Sequence, residues 1–156
     1  AATVMAGEGN YYISGSSGAD IIYGDEGNDN ISGSSGNDTL YGGKGNDTIS
    51  TGVGNDTVYS NSGDDYVMTS YDNNDVKTIY LGSGKDTVLA GGLKAGTITN
   101  IWVNKDNSED INAQAEENLI KIGGNQGTIN IKDATNLDTL SVYQYTNSDF
   151  SYERTG

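Results

Sequence analysis

Residues 15–68 divide into six consecutive groups of nine: GSSGADIIY (15–23), GDEGNDNIS (24–32), GSSGNDTLY (33–41), GGKGNDTIS (42–50), TGVGNDTVY (51–59) and SNSGDDYVM (60–68). In every group the fourth place is glycine, the sixth is aspartate and the eighth is aliphatic. The aspartates are Asp20, Asp29, Asp38, Asp47, Asp56 and Asp65. Glycine allows the first six residues to bend tightly, while the last three alternate outward, inward and outward as a short strand does. Each group therefore predicts one turn followed by one strand with a single buried side chain.

A longer period overlies the nine-residue one. The ninth place carries tyrosine in every second group, at Tyr23, Tyr41 and Tyr59. Two groups are therefore expected to complete one coil, with equivalent residues stacked about 4.8 Å apart in parallel sheets. The aspartates then form two columns, Asp20–Asp38–Asp56 and Asp29–Asp47–Asp65. Carboxylates stacked in register repel one another, so we expect a cation between them.

Calcium is the cation that these residues favour. It accepts six to eight oxygen ligands with flexible geometry, and glycine-rich turns supply both carboxylates and carbonyls. Zinc is disfavoured because the chain has no histidine and no cysteine. The alternative is that the aspartates only cap their own turns, which does not explain why they recur at a fixed spacing.

The nonapeptide resembles the calcium-binding repeat of the RTX, or haemolysin-type, proteins. The resemblance implies an all-β fold, a right-handed parallel β-roll or β-helix with calcium in its turns. It also implies that each ion lies between turns eighteen residues apart and binds both stacked aspartates. The remaining ligands would be carbonyls from places two and four of the earlier turn and places one and three of the later turn.

Transferred to this sequence, the resemblance implies four ligand sets with two carboxylates each, and hence about four or more Ca²⁺ ions. In the first column the sets are Ser16, Gly18 and Asp20 with Gly33, Ser35 and Asp38, followed by Ser34, Gly36 and Asp38 with Thr51, Val53 and Asp56. In the second column they are Asp25, Gly27 and Asp29 with Gly42, Lys44 and Asp47, followed by Gly43, Gly45 and Asp47 with Ser60, Ser62 and Asp65. Thr51 and Ser60 depart from the pattern, because glycine is expected at the first place.

We expect three segments: an N-terminal cap or degenerate repeat (1–14), the calcium-binding β-roll (15–89) and a β-rich C-terminal cap (90–156). In the first segment Tyr11 stands at the aspartate place. Irregular end repeats are typical of solenoids, because they close an open end.

The register changes after residue 68. The next aliphatic residue in register is Ile79, which predicts a three-residue insertion within residues 69–75. Asp72 and Asp75 are expected to be solvated turn residues rather than calcium ligands. The pattern returns at Asp86, a candidate ligand that has no aspartate eighteen residues away in either direction.

The last segment contains no nonapeptide. Short strands are predicted at residues 97–103, 118–122, 127–132 and 138–143, and a short helix is a weak alternative at residues 108–117. We expect these strands to extend the solenoid or to fold over its end as an irregular β cap. Trp102 is expected to anchor the core of this cap.

Composition excludes several classes of function. The formal net charge of −14 disfavours binding to nucleic acid or to anionic lipid. The absence of histidine and cysteine removes the commonest catalytic triads, so we do not expect an enzyme. No apolar run approaches the length of a membrane span.

Three functional hypotheses remain. The resemblance favours a calcium-binding module that folds on calcium outside the cell, as part of a type I secreted bacterial surface or extracellular protein. One alternative is an S-layer or adhesin lattice domain that self-associates with calcium. Another is a module that binds carbohydrate or a cell-surface glycan through the outward tyrosines, although such a row also stabilises neighbouring strands by itself.

Overall fold

The computed structural model describes residues 1–102, 117–124, 128–132, 139–144 and 151–155, and in these residues all regular structure is β-strand. The first eight strands are β1 (Thr3–Met5), β2 (Tyr12–Ser14), β3 (Ile21–Glu26), β4 (Asn30–Ser32), β5 (Thr39–Lys44), β6 (Thr48–Ser50), β7 (Thr57–Ser62) and β8 (Tyr66–Thr69). The others are β9 (Val76–Tyr80), β10 (Thr87–Leu93), β11 (Ile98–Trp102), β12 (Glu117–Gly124), β13 (Thr128–Lys132), β14 (Thr139–Gln144) and β15 (Ser151–Thr155).

The strands alternate between two parallel sheets. The odd-numbered strands form one sheet in the order β1-β3-β5-β7-β9-β11-β13-β15, and the even-numbered strands form the other in the order β2-β4-β6-β8-β10-β12-β14. We call them the odd sheet and the even sheet. Because each strand pairs with the strand two places along the chain, every coil adds one strand to each sheet. The predicted all-β solenoid, consistent with a β-roll, is confirmed.

The register in the repeats follows the predicted period. Ile22 pairs with Leu40, and Leu40 with Val58, in the odd sheet. Turn hydrogen bonds also join residues 18 apart in the repeats, but 21 apart between Asp65 and Asp86. The inserted residues predicted within 69–75 therefore lengthen one coil without breaking either sheet.

The core lies between the two sheets and changes in thickness along the chain. In the repeats each strand contributes its eighth-place residue, and these side chains are fully buried: Ile22, Ile31, Leu40, Ile49, Val58 and Val67. From residue 69 onward further side chains join the same cluster, including Tyr71, Leu81, Ala90 and Leu93. The later coils therefore bury more apolar surface than the repeats do.

The segment after residue 90 extends the solenoid. The strands predicted at 97–103, 118–122, 127–132 and 138–143 correspond to β11, β12, β13 and β14, and each continues one of the two sheets. The sequence did not predict β15. The helix considered at 108–117 lies outside the described residues, except for Glu117, which begins β12.

Stacked aromatic rings line the outer face of the odd sheet. The centroid distances are 4.5 Å for Tyr23–Tyr41, 4.9 Å for Tyr41–Tyr59, 4.8 Å for Tyr59–Tyr80 and 4.9 Å for Tyr80–Trp102. The predicted tyrosine row is therefore longer than expected. The expectation that Trp102 anchors a core is wrong, because its half-buried ring lies on this outer ladder.

Candidate metal centre in the turns

Two columns of buried aspartates follow the two edges of the solenoid. In the first column each aspartate comes directly before a strand of the odd sheet: Asp20 before β3, Asp38 before β5 and Asp56 before β7. In the second column each comes directly before a strand of the even sheet: Asp29 before β4, Asp47 before β6 and Asp65 before β8. Each of these residues is at most 2% exposed. The turns therefore place carboxylates in the interior, where a charge without a partner is costly.

One carboxylate oxygen of each later aspartate holds the coils in register. The main-chain N–H of Asp20 donates to Asp38 Oδ1 at 2.8 Å, and that of Asp38 donates to Asp56 Oδ1 at 2.9 Å. In the second column the N–H of Asp29 donates to Asp47 Oδ1 and that of Asp47 to Asp65 Oδ1, both at 2.8 Å. Oδ1 thus links two coils, which leaves Oδ2 for another partner.

The Oδ2 atoms of four aspartates have no such partner. In Asp29, Asp38, Asp47 and Asp65 this oxygen is buried and accepts no hydrogen bond from the protein. Buried polar atoms are nearly always hydrogen-bonded, so repeated exceptions at equivalent positions require an explanation. A bound cation would satisfy all four.

The space beside these oxygens is kept open by glycine at the first place of the turn. A Cβ atom on Gly42 would lie 2.6 Å from Asp47 Oδ2 and 2.7 Å from Ser60 O. A Cβ on Gly24 would lie 2.5 Å from both Asp29 Oδ2 and Gly42 O. A carboxylate oxygen and a carbonyl of the next coil therefore converge on one point, as Ca²⁺ ligands do.

Burial makes the negative charge of the columns costly. It raises the pKa of Asp47 to about 6 and that of Asp65 to about 7, against the opposing effect of the main-chain hydrogen bonds from Asp29 and Asp47. Burial also raises the pKa of Asp38. A divalent cation would stabilise the ionised forms.

The turn of Asp20 differs from the others. Its Oδ2 accepts the N–H of Ser16 at 2.6 Å and the Ser16 hydroxyl at 2.9 Å. The Ser16 N–H lowers the pKa of Asp20. The protein itself thus satisfies the carboxylate at this end of the column.

The predicted carbonyl ligands at the first and third places lie at contacts between successive coils. The first-place carbonyls of Gly33, Gly42, Thr51 and Ser60 all lie against the first-place glycine of the preceding coil. The third-place carbonyls of Lys44, Val53 and Ser62 accept main-chain hydrogen bonds from Gly27, Gly36 and Gly45. Among the described residues no three acidic side chains surround one point, so main-chain oxygens would be most of the ligands.

Both columns continue past the insertion, which the eighteen-residue spacing did not predict. The N–H of Asp65 donates to Asp86 Oδ1 at 2.9 Å across 21 residues, so Asp86 belongs to the second column. In the first column Thr57 pairs with Thr78, which places Lys77 opposite Asp56. The first column therefore ends in lysine and the second continues with aspartate.

The two acidic residues of the insertion have separate roles. Asp72 is exposed, and its Oδ1 lies 3.3 Å from Lys94 Nζ. Asp75 is 8% exposed, and its Oδ2 accepts the N–H groups of Gly54 at 2.9 Å and Asp72 at 2.6 Å. The expectation of a solvated side chain is wrong for Asp75, because the carboxylate caps the turn of the preceding coil.

A second ladder runs beside the aspartates at the fifth place of the turns. The N–H of Asn28 donates to Asn10 Oδ1 at 2.7 Å, and that of Asn46 to Asn28 Oδ1 at 2.8 Å. These bonds run from the later coil to the earlier one, opposite to those of the aspartates. The signal for this ladder in the sequence is the recurrence of asparagine at the fifth place, at Asn28, Asn37, Asn46 and Asn55.

Comparison with protein families identifies the repeats. Residues 3–31 and 32–67 match the family model of the RTX calcium-binding nonapeptide repeat, with four copies. This part of the chain belongs to the RTX repeat family. The match includes both aspartate columns up to Asp65, so the RTX repeats are a calcium-binding repeat module. It also begins at residue 3, within the segment expected to be an N-terminal cap or degenerate repeat.

The other comparisons add no relative. No curated protein and no solved structure matched the chain. Within the part of the chain that the structure describes, no helix is long and apolar enough to cross a membrane.

Proposed function

We propose that the RTX repeats are a calcium-dependent folding module of a secreted protein. The observation that carries the proposal is the set of buried, unpartnered Oδ2 atoms of Asp29, Asp38, Asp47 and Asp65. Each repeat strand buries only one aliphatic side chain, which is little compensation for the entropy lost when the backbone is ordered. Calcium binding would therefore contribute directly to folding.

Calcium would supply a compact divalent charge that binds several oxygens at once. In the second column Asp47 Oδ2 and Ser60 O would contact one ion, with further carbonyls from the turns of residues 42–47 and 60–65. The aspartate N–H bonds hold successive turns at the required spacing. Glycine at the first place keeps side-chain atoms away from the ion.

The proposal extends to cellular location. A chain that remains unfolded at low calcium is suited to export by type I secretion, and external calcium would then fold it outside the cell or at the cell surface. The resemblance to RTX proteins supports this view, and the cysteine-free composition is compatible with it. We assign no catalytic role to the module.

The geometry gives little support to the alternative of carbohydrate binding. The rings of Tyr23, Tyr41 and Tyr59 are nearly parallel, with interplanar angles of 6° and 7°. Each inner ring therefore covers the face of its neighbour, which a sugar ring would need for stacking. Among the residues that the structure describes, no comparable observation favours a lattice role.

A calcium titration of the full chain tests the proposal. Far-ultraviolet circular dichroism should show a cooperative gain of β-structure with calcium, whereas magnesium at the same concentration should produce much less. Light scattering on the same samples should report a monomer throughout. Full β-structure in a calcium chelator would contradict the proposal, and calcium-driven association would favour the lattice alternative.

A further inference from the structure

Lys77 is a buried cation in the first column. Its side chain is fully buried, and its Nζ atom donates to Gly52 O at 2.7 Å, to Gly54 O at 2.7 Å and to Asp56 Oδ2 at 2.6 Å. Nζ also lies 5.6 Å from the centroid of the Tyr71 ring. All three of its hydrogen atoms therefore have an oxygen acceptor.

These acceptors occupy particular places in the nonapeptide. Gly52, Gly54 and Asp56 are the second, fourth and sixth residues of the group 51–59. They correspond to the carbonyls and carboxylate that the earlier turn of each pair is expected to offer to calcium. Lys77 itself stands at the aspartate place of the next turn, since Thr57 pairs with Thr78.

We propose that the Lys77 ammonium is a tethered replacement for one Ca²⁺ ion and ends the row of ions in the first column. The inference rests on the proposed function, because it assumes that calcium binds between the earlier coils. It assigns this position to a side chain of the protein, so the coils that Lys77 joins should need no calcium there.

The charges support the replacement. One Ca²⁺ ion together with one aspartate carboxylate carries a single net positive charge, and so does one lysine. Exchanging the aspartate and its ion for lysine therefore keeps the local charge. The partner carboxylate of Asp56 remains paired, as a buried charge requires.

The turn around Lys77 is adapted to this arrangement. Glycine occupies the first place in the earlier turns of this column, at Gly15 and Gly33, but Thr51 occupies it here. The Thr51 hydroxyl donates to Gly52 O at 3.0 Å, the same carbonyl that accepts a bond from Lys77. Side-chain atoms thus stand where the earlier turns leave room for an ion.

Replacing Lys77 tests the inference. In Thr51→Gly/Lys77→Asp both the first-place glycine and the aspartate of the earlier coils are restored, so the double variant should bind one more calcium ion per chain than the wild type by isothermal titration calorimetry. Hydrogen exchange should show that the amides of β9 (Val76–Tyr80) are protected without calcium in the wild type. In the double variant they should be protected only with calcium.

Two further variants test whether the effect depends on the charge of Lys77 or on its position in the first column. Lys94→Asp makes the same charge change at an exposed lysine, and it should bind as many ions as the wild type. Lys77→Met keeps the length of the side chain without its charge. It should lose β9 protection in the absence of calcium and gain no ion.

Some outcomes would contradict the inference about Lys77, and a different outcome would contradict the proposed function. The inference fails if folded Thr51→Gly/Lys77→Asp binds the wild-type number of ions, if the β9 amides of this double variant remain protected without calcium, or if the double variant stays unfolded at every calcium concentration. It also fails if Lys94→Asp gains an ion in the same way. If the wild type neither binds calcium nor gains structure, the proposed function fails instead.

Discussion

The coils before residue 69 and those after it are stabilised by different interactions. In the repeats each strand buries one aliphatic side chain, and the second column alone buries three aspartates, Asp29, Asp47 and Asp65, whose Oδ2 atoms lack a partner. After the insertion Tyr71, Leu81 and Leu93 enlarge the core, and Lys77 supplies a cation from within the chain.

The difference shows what the repeat architecture requires. Parallel coils of the same kind continue through both regions, so the fold does not depend on the nonapeptide itself. It depends on a partner for each buried carboxylate, either a cation or hydrogen-bond donors, and on enough buried apolar surface. The Oδ2 atoms of Asp29, Asp38, Asp47 and Asp65 are expected to obtain a cation from solution, whereas Asp56, where the two regions meet, obtains one from Lys77.

Removal of calcium should produce the largest effect. We expect the amides of Asp29, Asp38 and Asp47 to lose about 100-fold or more of their protection from hydrogen exchange in a chelator, because the repeats cannot then neutralise their carboxylates. The amides of Ile79 and Ile101 should retain most of their protection. Exchange measured by mass spectrometry, with and without calcium, gives both values.

Equal loss of protection in the two regions would contradict this comparison. It would mean that the later coils depend on the repeats for their stability. Restoration by calcium but not by magnesium serves as the control.

Loss of a single aspartate should have the next largest effect, and its size should depend on position. Asp47 links two coils through Oδ1 and has an unpartnered Oδ2, whereas Ser16 already satisfies Asp20 Oδ2. Asp47→Ala should raise the calcium concentration for half-folding about tenfold or more, which corresponds to about 1.4 kcal/mol for each ion that binds on folding. Asp20→Ala should raise it less.

Circular dichroism during calcium titration measures the two midpoints. Equal midpoints, or a larger shift in Asp20→Ala, would show that ions do not bind between coils as proposed. Asp72→Ala, at an exposed carboxylate outside the columns, should leave the midpoint unchanged.

The repeats could be predicted in detail because their register is explicit in the sequence. Glycine, aspartate and an aliphatic residue recur at fixed places, and the return of tyrosine in every second group gives the length of the coil. The two columns, the buried eighth-place residues and the outward tyrosines all follow from that spacing.

The features after residue 68 could not be predicted in the same way, because the spacing between equivalent residues changes there. The insertion separates Asp65 from Asp86 by 21 residues, so the eighteen-residue period does not connect them. The same change concealed Lys77 opposite Asp56. In the sequence alone, a lysine at the aspartate place indicates only that a calcium ligand is missing. The sequence does not show the turn carbonyls that this lysine contacts. Trp102 was misassigned for a similar reason, since it pairs with Tyr80 across a coil of yet another length.

Lowering the pH should partly replace calcium, because protonation also neutralises the buried carboxylates. Burial raises the pKa of Asp47 from 3.8 to about 6 and that of Asp65 from 3.8 to about 7 in the calcium-free fold. The folded chain then binds protons more strongly than the unfolded chain does. This contribution to stability is complete below the unfolded pKa and is lost as the pH rises through about 6 to 7.

Without calcium, β-structure should therefore increase as the pH is lowered from 8 to 5, as measured by circular dichroism on protein stripped of metal. Saturating calcium should remove most of this dependence, because the carboxylates are then ionised in both states. Asp65→Asn should make the calcium-free curve shallower. A loss of β-structure on acidification would contradict the expected protonation of the columns.

The aromatic ladder should make the smallest contribution, and it crosses the boundary between the two regions. Tyr80 stacks on Tyr59 at 4.8 Å and on Trp102 at 4.9 Å, so it connects the last tyrosine of the repeats to the later coils. Tyr80→Ser removes both contacts and should lower the free energy of unfolding by about 1–3 kcal/mol, at about 0.5–1.5 kcal/mol for each ring pair.

Tyr66→Ser is the matched control, since Tyr66 is also half-buried but belongs to the even sheet. Chemical denaturation in saturating calcium should show the larger loss for Tyr80→Ser, without a change in molecular mass. If instead the fold is unaffected and calcium-dependent association or glycan binding is lost, the ladder is a binding surface rather than a support for the strands.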